Sequence, residues 1–173
     1  MKRIYLVRHA KSSWDNVSLT DKERPLLNRG LHDCKRLSNY LSHYNICPDI
    51  IFSSSARRCI HTLELIFSNI DPENTIVNIE NNLYGAELPL LLNLILYTSD
   101  AYQSLMIVNH EPVLSQLTNL LIRNSEIAIN NDLLNKFCTC GMAILEHDSN
   151  NWRDMNSFDL QLVDFIKPSN LEI

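Results

Sequence analysis

The sequence predicts an α/β protein, a three-layer α/β/α sandwich around a mainly parallel central sheet. Three observations point there. Short runs dominated by apolar residues recur at Ile4-Tyr5-Leu6-Val7, Asp49-Ile50-Ile51-Phe52 and Leu105-Met106-Ile107-Val108. Between them lie longer stretches whose apolar residues repeat at helical spacing, and strands alternating with helices form parallel sheets covered on both faces. The chain has 173 residues, 45% of them apolar, which suits a single domain over residues 1–173 with its own core.

The first strand, Ile4 to Val7, is apolar throughout, as a strand buried on both faces must be. Arg8 to Arg29 is polar, carries Trp14, Asp15 and Pro25, and reads as a long loop. Such a loop inside a compact domain usually serves function. From Leu31, the residues Cys34, Leu37, Leu41 and Tyr44 mark one helical face, and Pro48 ends it. The second strand, Asp49 to Phe52, runs into Ser53-Ser54-Ser55. Cys59, Ile60, Leu63, Ile66, Phe67 and Ile70 then form a helical stripe that Pro72 stops. A weaker strand follows at Thr75 to Ile79, then a helix over Leu88 to Tyr97 and the strand Leu105 to Val108. Pro112, at home in a first turn, opens a helix carrying Val113, Leu114, Leu117, Leu120 and Leu121. Gly141 to Glu146 and Phe158 to Ile166 close the chain as strands.

Composition excludes several functions. With 15 Lys+Arg against 20 Asp+Glu the formal net charge is −5, so no general nucleic-acid affinity is expected. The three glycines, Gly30, Gly85 and Gly141, lie too far apart for a Walker A or GxGxxG loop. Any phosphate must therefore be held by side chains. Cys138-Thr139-Cys140 has no partner motif, so the five cysteines read as free thiols of a reducing compartment and not as a zinc site. The apolar run after Lys2-Arg3 is too short for a signal-peptide core. The stretch Leu88 to Tyr97 falls well short of the roughly 18 residues of a membrane span. The expectation is a cytoplasmic protein without membrane, metal or cofactor.

In open α/β sheets ligands bind beyond the carboxyl ends of the strands. That rule selects Arg8-His9, the Ser53 to Arg58 turn, and Asn109-His110. Side by side they offer Arg8, His9, Arg57 or Arg58, and His110. Guanidinium forks match phosphate oxygens, and an imidazole can serve as nucleophile or donor. Helices opening near Arg57 and at Pro112 would aim their N-termini at the same anion. No carboxylate cluster suited to Mg²⁺ accompanies them, so the set reads as a metal-free phosphoryl site. Taken singly, each piece has a plain structural explanation. Arg8-His9 could be surface charge, and His110 a histidine at the core edge. Two arginines at a helix start oppose its dipole, however, and the coincidence at three strand ends favours chemistry.

The same residues carry a resemblance. Ile4-Tyr5-Leu6-Val7-Arg8-His9-Ala10-Lys11-Ser12-Ser13-Trp14 resembles the opening of the histidine phosphatase superfamily (phosphoglycerate mutase-like), in its small bacterial phosphohistidine phosphatase, or SixA-type, branch. Arg24-Pro25-Leu26-Leu27-Asn28-Arg29-Gly30 resembles the Arg-Pro-Leu-x-x-Arg-Gly stretch of that branch. Ser54-Ser55-Ala56-Arg57-Arg58-Cys59-Ile60-His61-Thr62 is similar to its Ser-Pro-Ala-x-Arg-Ala-x-Gln-Thr segment, which maps the family arginine onto Arg58. Leu83-Tyr84-Gly85-Ala86 matches a Leu-Tyr-x-Ala element, and Ile107-Val108-Asn109-His110-Glu111-Pro112 resembles the segment of the second histidine. The likeness runs in order to about Leu121. Ala10 stands for a common Gly, His61 for a Gln, and Glu111 for the Asn of Gly-His-Asn-Pro. A carboxylate facing a phosphate would repel it, so Glu111 is expected to point outward.

The resemblance implies a ping-pong transfer in which His9 takes the phosphoryl group and water hydrolyses phospho-His9, while Arg8, Arg58 and His110 clamp the oxygens. Arg24 is a candidate substrate contact or, equally, a surface residue before a proline turn. Relatives acting on phosphate esters use an acidic residue from mid-chain, and Glu87 is the candidate here. The SixA-type branch does without one, which leaves Glu87 as a helix-start charge. The implied substrate is a protein carrying phosphorylated histidine, on a phosphocarrier or phosphotransfer domain. The alternatives are a small-molecule phosphomonoesterase of the same superfamily and a non-catalytic phosphoprotein-binding module.

Overall fold

The computed structural model describes residues 1–70, 74–123 and 137–171. The apolar runs form strands β1 (Lys2–Arg8), β2 (Ile50–Ser54), β3 (Ile76–Glu80), β4 (Ser104–Asn109), β5 (Met142–His147) and β6 (Gln161–Ile166). They make one sheet in the order β3-β2-β4-β1-β5-β6. The first four strands are parallel, while β5 and β6 join antiparallel. Helices α1 (Asn28–His43), α2 (Arg57–Ile66), α3 (Leu88–Leu96) and α4 (Val113–Leu121) connect them. The expected α/β sandwich with a mainly parallel sheet is what forms.

Strand alternation divides the core in two. On one face Ile4 and Leu6 of β1 join Leu105 and Ile107 of β4 beneath Leu91 and Ile95 of α3 and Leu114 and Leu117 of α4. On the other, Tyr5, Val7, Met106 and Val108 meet Cys34, Leu37 and Leu41 of α1 and Cys59, Leu63 and Ile66 of α2. Both faces of β1 are therefore dry, which explains its unbroken apolar sequence. No helix among the described residues is long and apolar enough to cross a membrane.

Several boundaries depart from the sequence expectation. The stripe expected to continue helically to Ile70 leaves the helix at Ile66. Phe67 and Ile70 still pack on the α1–α2 core, but from turns, and apolar packing alone does not require helical backbone. Pro72, the expected stop, lies outside the described residues. The last strand starts at Gln161, because Phe158 adopts a left-handed conformation (φ 58°) at the end of a 3-10 segment, Trp152–Ser157. Pro112 is the N-cap of α4, one residue before the helix.

The long polar loop forms as expected up to Leu27, the residue before α1, and it is tied down. Leu27 N donates to Lys11 O (2.8 Å), Ser13 N to Pro25 O (2.9 Å), and Ser12 and Leu26 form a bridge. A 3-10 turn, Asp21–Glu23, sits at its far end. Gly30, in the first turn of α1, lets the helix lie against this loop: a Cβ there would stand 2.4 Å from Lys11 O and 3.1 Å from Lys11 N. These are backbone atoms two residues from His9, so they cannot swing away.

Ala normally stabilises a helix interior by about 1 kcal/mol over Gly. Here we expect the opposite sign: Gly30→Ala should destabilise by about 1–3 kcal/mol through overpacking. Thermal unfolding checks this, at roughly 2–4 °C per kcal/mol for a chain of this size. A raised melting temperature would show that the loop yields freely.

Candidate active site

The sheet order places β2, β4 and β1 side by side, with Arg8 in register with Asn109 and Ser53 with Val108. Their carboxyl ends open into a pocket of about 510 Å³ whose lining includes Arg8, His9, Arg58 and His110. Asp21, Arg24 and Tyr84 line it too. Residues from five separate stretches of the chain thus converge on one volume.

His9 follows β1 directly and is held on several sides. Its N donates to Asn109 O (3.1 Å), its O accepts from Cys140 N (3.2 Å), and Ala10 N donates to Thr62 Oγ1 (2.9 Å) on α2. The ring Nδ1 lies 2.8 Å from the carbonyl of Ala10. A carbonyl only accepts, so Nδ1 carries the proton and Nε2 keeps its lone pair. Burial pushes His9 down to about 3, helped by His110, Arg58 and Arg8 and opposed by the Ala10 hydrogen bond. At neutral pH the imidazole is uncharged and nucleophilic at Nε2.

His110 stands at a ring-centroid distance of 5.1 Å from His9. Arg58 Nη2 donates to its Nδ1 at 3.3 Å. Guanidinium cannot accept, so the His110 proton sits on Nε2 and is donated to Ser54 Oγ at 2.9 Å. Burial, then the charge of Arg58, lowers His110 to about 4. Arg58 is only 5% exposed. Its Nη1 donates to Asp21 O (2.6 Å) and its Nη2 to Asp21 Oδ2 (3.0 Å). Arg24, 8% exposed, is no surface residue. Its Nε and Nη2 bond Asp21 Oδ1 at 2.9 Å each, its Nη1 donates to Ser12 Oγ, and its guanidinium lies 3.5 Å over the Trp14 ring.

Arg8 donates Nη1 to Phe137 O (2.5 Å). Arg8 Nε, Arg58 Nε and Asn109 Nδ2 are buried donors without a partner among the described residues. Buried donors ordinarily find acceptors, and a pocket offering three suits an oxyanion. The buried Cys59 thiol lies 3.6 Å from His110 Nε2. Burial pushes it up to about 12, so it stays protonated and is no rival nucleophile. Among the described residues no group of three or more His, Cys, Asp or Glu could hold a metal ion.

The remaining candidates separate. Arg57 is exposed and lines, with His61, a neighbouring groove of about 650 Å³. Glu87 is exposed at the N-cap of α3 and does not line the pocket. Glu111, expected to point outward, instead lines it. Its Oε2 accepts from Ser115 in the first turn of α4, and its Oε1 is buried without a partner among the described residues; the helix start draws the carboxyl in. Sequence reasoning missed Asp21, Ser54 and the hydroxyl of Tyr84, which donates to Asp21 Oδ2 at 2.8 Å. Asp21 carried one signal: a carboxylate three residues before Arg24 in the long polar loop.

The histidines make acid stability predictable. Both titrate below the ordinary 6.5, so on acidification the unfolded chain takes up protons that the folded one refuses. Stability is complete above about pH 6.5 and declines as pH falls toward about 4 and 3, by at most about 1.4 kcal/mol per pH unit for each histidine. Burial raises the Asp21 carboxyl, but Tyr84, Arg58 and Arg24 outweigh it and bring it to about 2. The stability it carries is therefore lost only at lower pH. We expect a lower urea midpoint at pH 5 than at pH 7, and a flatter profile in His9→Gln/His110→Gln. An equally steep profile in that variant would contradict the assignment.

Comparison with known proteins agrees with this geometry. Residues 4–83 match the model of the histidine phosphatase superfamily (branch 1). An uncharacterised chloroplastic protein of Arabidopsis thaliana is 40% identical over 70 residues, 40% of this chain but only about a third (32%) of that protein's length. An uncharacterised protein of Mycobacterium tuberculosis is 29% identical over 164 residues, 94% of this chain and 99% of its own length. Among solved structures, a protein assigned as phosphohistidine phosphatase SixA of Agrobacterium tumefaciens superposes with a TM-score of 0.81 at 26% identity, over 96% of this chain and 98% of that one. By sequence over residues 4–83 and by fold over nearly its whole length, the chain is similar to the histidine phosphatase superfamily, and it shares the phosphoglycerate mutase-like fold of that superfamily's SixA-type members.

Proposed function

We propose that this pocket removes the phosphoryl group from phosphohistidine on a protein, through a phospho-His9 intermediate. The observation that carries the proposal is the state of His9: buried, neutral, with Nδ1–H on the Ala10 carbonyl and Arg8, Arg58 and His110 around it. Nε2 of His9 attacks phosphorus as the bond to the substrate's imidazolium nitrogen breaks, and that ring leaves neutral, keeping the proton already on its other nitrogen. Water then attacks phospho-His9, releasing inorganic phosphate and restoring the neutral ring. Arg8, Arg58 and Arg24 offset the charge on the phosphoryl oxygens. The arginine side chains supply this charge without a divalent ion, so activity should survive EDTA.

The leaving group supports phosphohistidine over an ester. A protonated imidazole departs with little help, whereas an alkoxide needs a positioned acid, and Glu87 stands outside the pocket. One observation favours the rival phosphomonoesterase: Glu111 lines the pocket and could protonate an alkoxide. The fold and sequence likeness to a SixA-type protein supports the first reading.

The deciding experiment is a substrate panel of a phosphohistidine-carrying protein, sugar phosphates and para-nitrophenyl phosphate. Phosphohistidine turnover should dominate and be unchanged by Glu87→Gln. Ester turnover that dominates and collapses in Glu111→Gln or Glu87→Gln would transfer the function to small phosphate esters. His9→Ala should abolish both activities and the acid-labile phosphoenzyme. A wild-type protein that binds phosphoprotein yet never forms phospho-His9 would instead be a binding module.

Arg58 and Arg57 offer a second check. Arg58→Ala should cut turnover by about 10²–10³, the usual loss for one transition-state donor. Arg57→Ala, on the exposed side of α2, should be mild. The reverse order would refute the placement of the clamp.

A further inference from the structure

Asp21 is the one carboxylate in direct contact with the arginines that line this pocket, among the described residues. Each of its oxygens is occupied. Oδ1 receives Nε and Nη2 of Arg24, Oδ2 receives Nη2 of Arg58 and the hydroxyl of Tyr84, and its backbone carbonyl receives Nη1 of Arg58. Arg58 has five N–H donors. Two are committed to Asp21 and one to His110, so more than half of its donors are fixed by these two residues. The chain of contacts continues through His110 to Ser54 at the end of β2.

We propose that Asp21 is a positioning residue: it fixes the Arg58 guanidinium, and through it His110, at the cost of weaker binding of the phosphate anion. The proposal rests on the phosphatase reading above. The contacts set the angle of the guanidinium plane, and a donor set before the substrate arrives need not reorganise during transfer. The same carboxylate places a negative charge beside the phosphoryl group and competes for the same guanidinium edges. It therefore opposes ground-state binding. Kept ionised at about 2 by its partners, it has no proton to donate at neutral pH, which separates this role from that of a general acid. Its side chain is 40% exposed, so replacement leaves no buried cavity.

The two effects have opposite signs, and this separates positioning from a plain structural role. In Asp21→Asn, inorganic phosphate should bind about three- to tenfold tighter by calorimetry, because the repelling charge is gone while the shape is kept. The same variant should lose about tenfold or more in kcat, because the fork is no longer fixed. Asp21→Glu keeps the charge and displaces it: phosphate affinity should stay within twofold, and kcat should still fall. Melting curves report whether each variant is folded. Weaker phosphate binding together with lower kcat in folded Asp21→Asn, or an unchanged kcat, would overturn the proposal. If the wild type turns over esters and not phosphohistidine, the substrate assignment fails while this test runs on the ester. Should neither be turned over, phosphate affinity alone decides it.

Discussion

Desolvation at three adjacent strand ends is the constraint on which the rest of this structure depends. β2, β4 and β1 deliver their carboxyl ends into one pocket, and the sheet beneath is dry on both faces. Charge there is poorly screened, so three arginines and two histidines could not all be cationic without severe repulsion. The protein meets this in two ways. Burial holds both imidazoles neutral, and Asp21 supplies a counter-charge to two of the guanidinium groups. What remains is a cationic pocket with an uncharged imidazole in it, the combination that the proposed phosphoryl transfer to nitrogen requires.

The neutral state of His9 is a property of packing, and the packing reaches well beyond the pocket. The loop after His9 is gripped by Thr62 of α2, whose hydroxyl also donates to Arg58 O. It is pressed from the other side by the Gly30 turn of α1. His9 and Arg58 are thus held by one short chain of hydrogen bonds. The same loop carries the 3-10 turn with Asp21 and the buried Arg24 stacked on Trp14. A segment without regular secondary structure over most of its length therefore supplies the ionic frame of the site, and its own bridge at Ser12 and Leu26 makes it firm enough to do so.

Glu111 gives the pocket an electrostatic feature of its own. A carboxyl on the wall of a phosphate site raises the demand on Arg8, whose charge it partly offsets. In the proposed reaction a carboxylate there would disfavour leaving groups that carry negative charge, and an imidazole carries none. The proposed choice of substrate is thereby tied to a residue at the start of α4, while Glu87, at the start of α3, lies outside the pocket.

Much of this was legible in the amino-acid order. The apolar runs of β1, β2 and β4 identify buried strands because only a doubly covered strand is apolar on both faces, and the residues just after them are local in sequence. Arg8, His9, Arg58 and His110 could therefore be named from strand ends and motif spacing. Periodicity also placed the helices, to within the last turn of α2. Tertiary structure alone decided the partners of those residues. Asp21 meets Arg58 across 37 positions and Tyr84 across 63, and no local pattern encodes a contact of that range. It also turned Glu111 into the pocket, left Glu87 outside it and chose the proton position on each histidine. Those outcomes depend on which donors and acceptors lie within about 3 Å, a distance that only the folded chain defines.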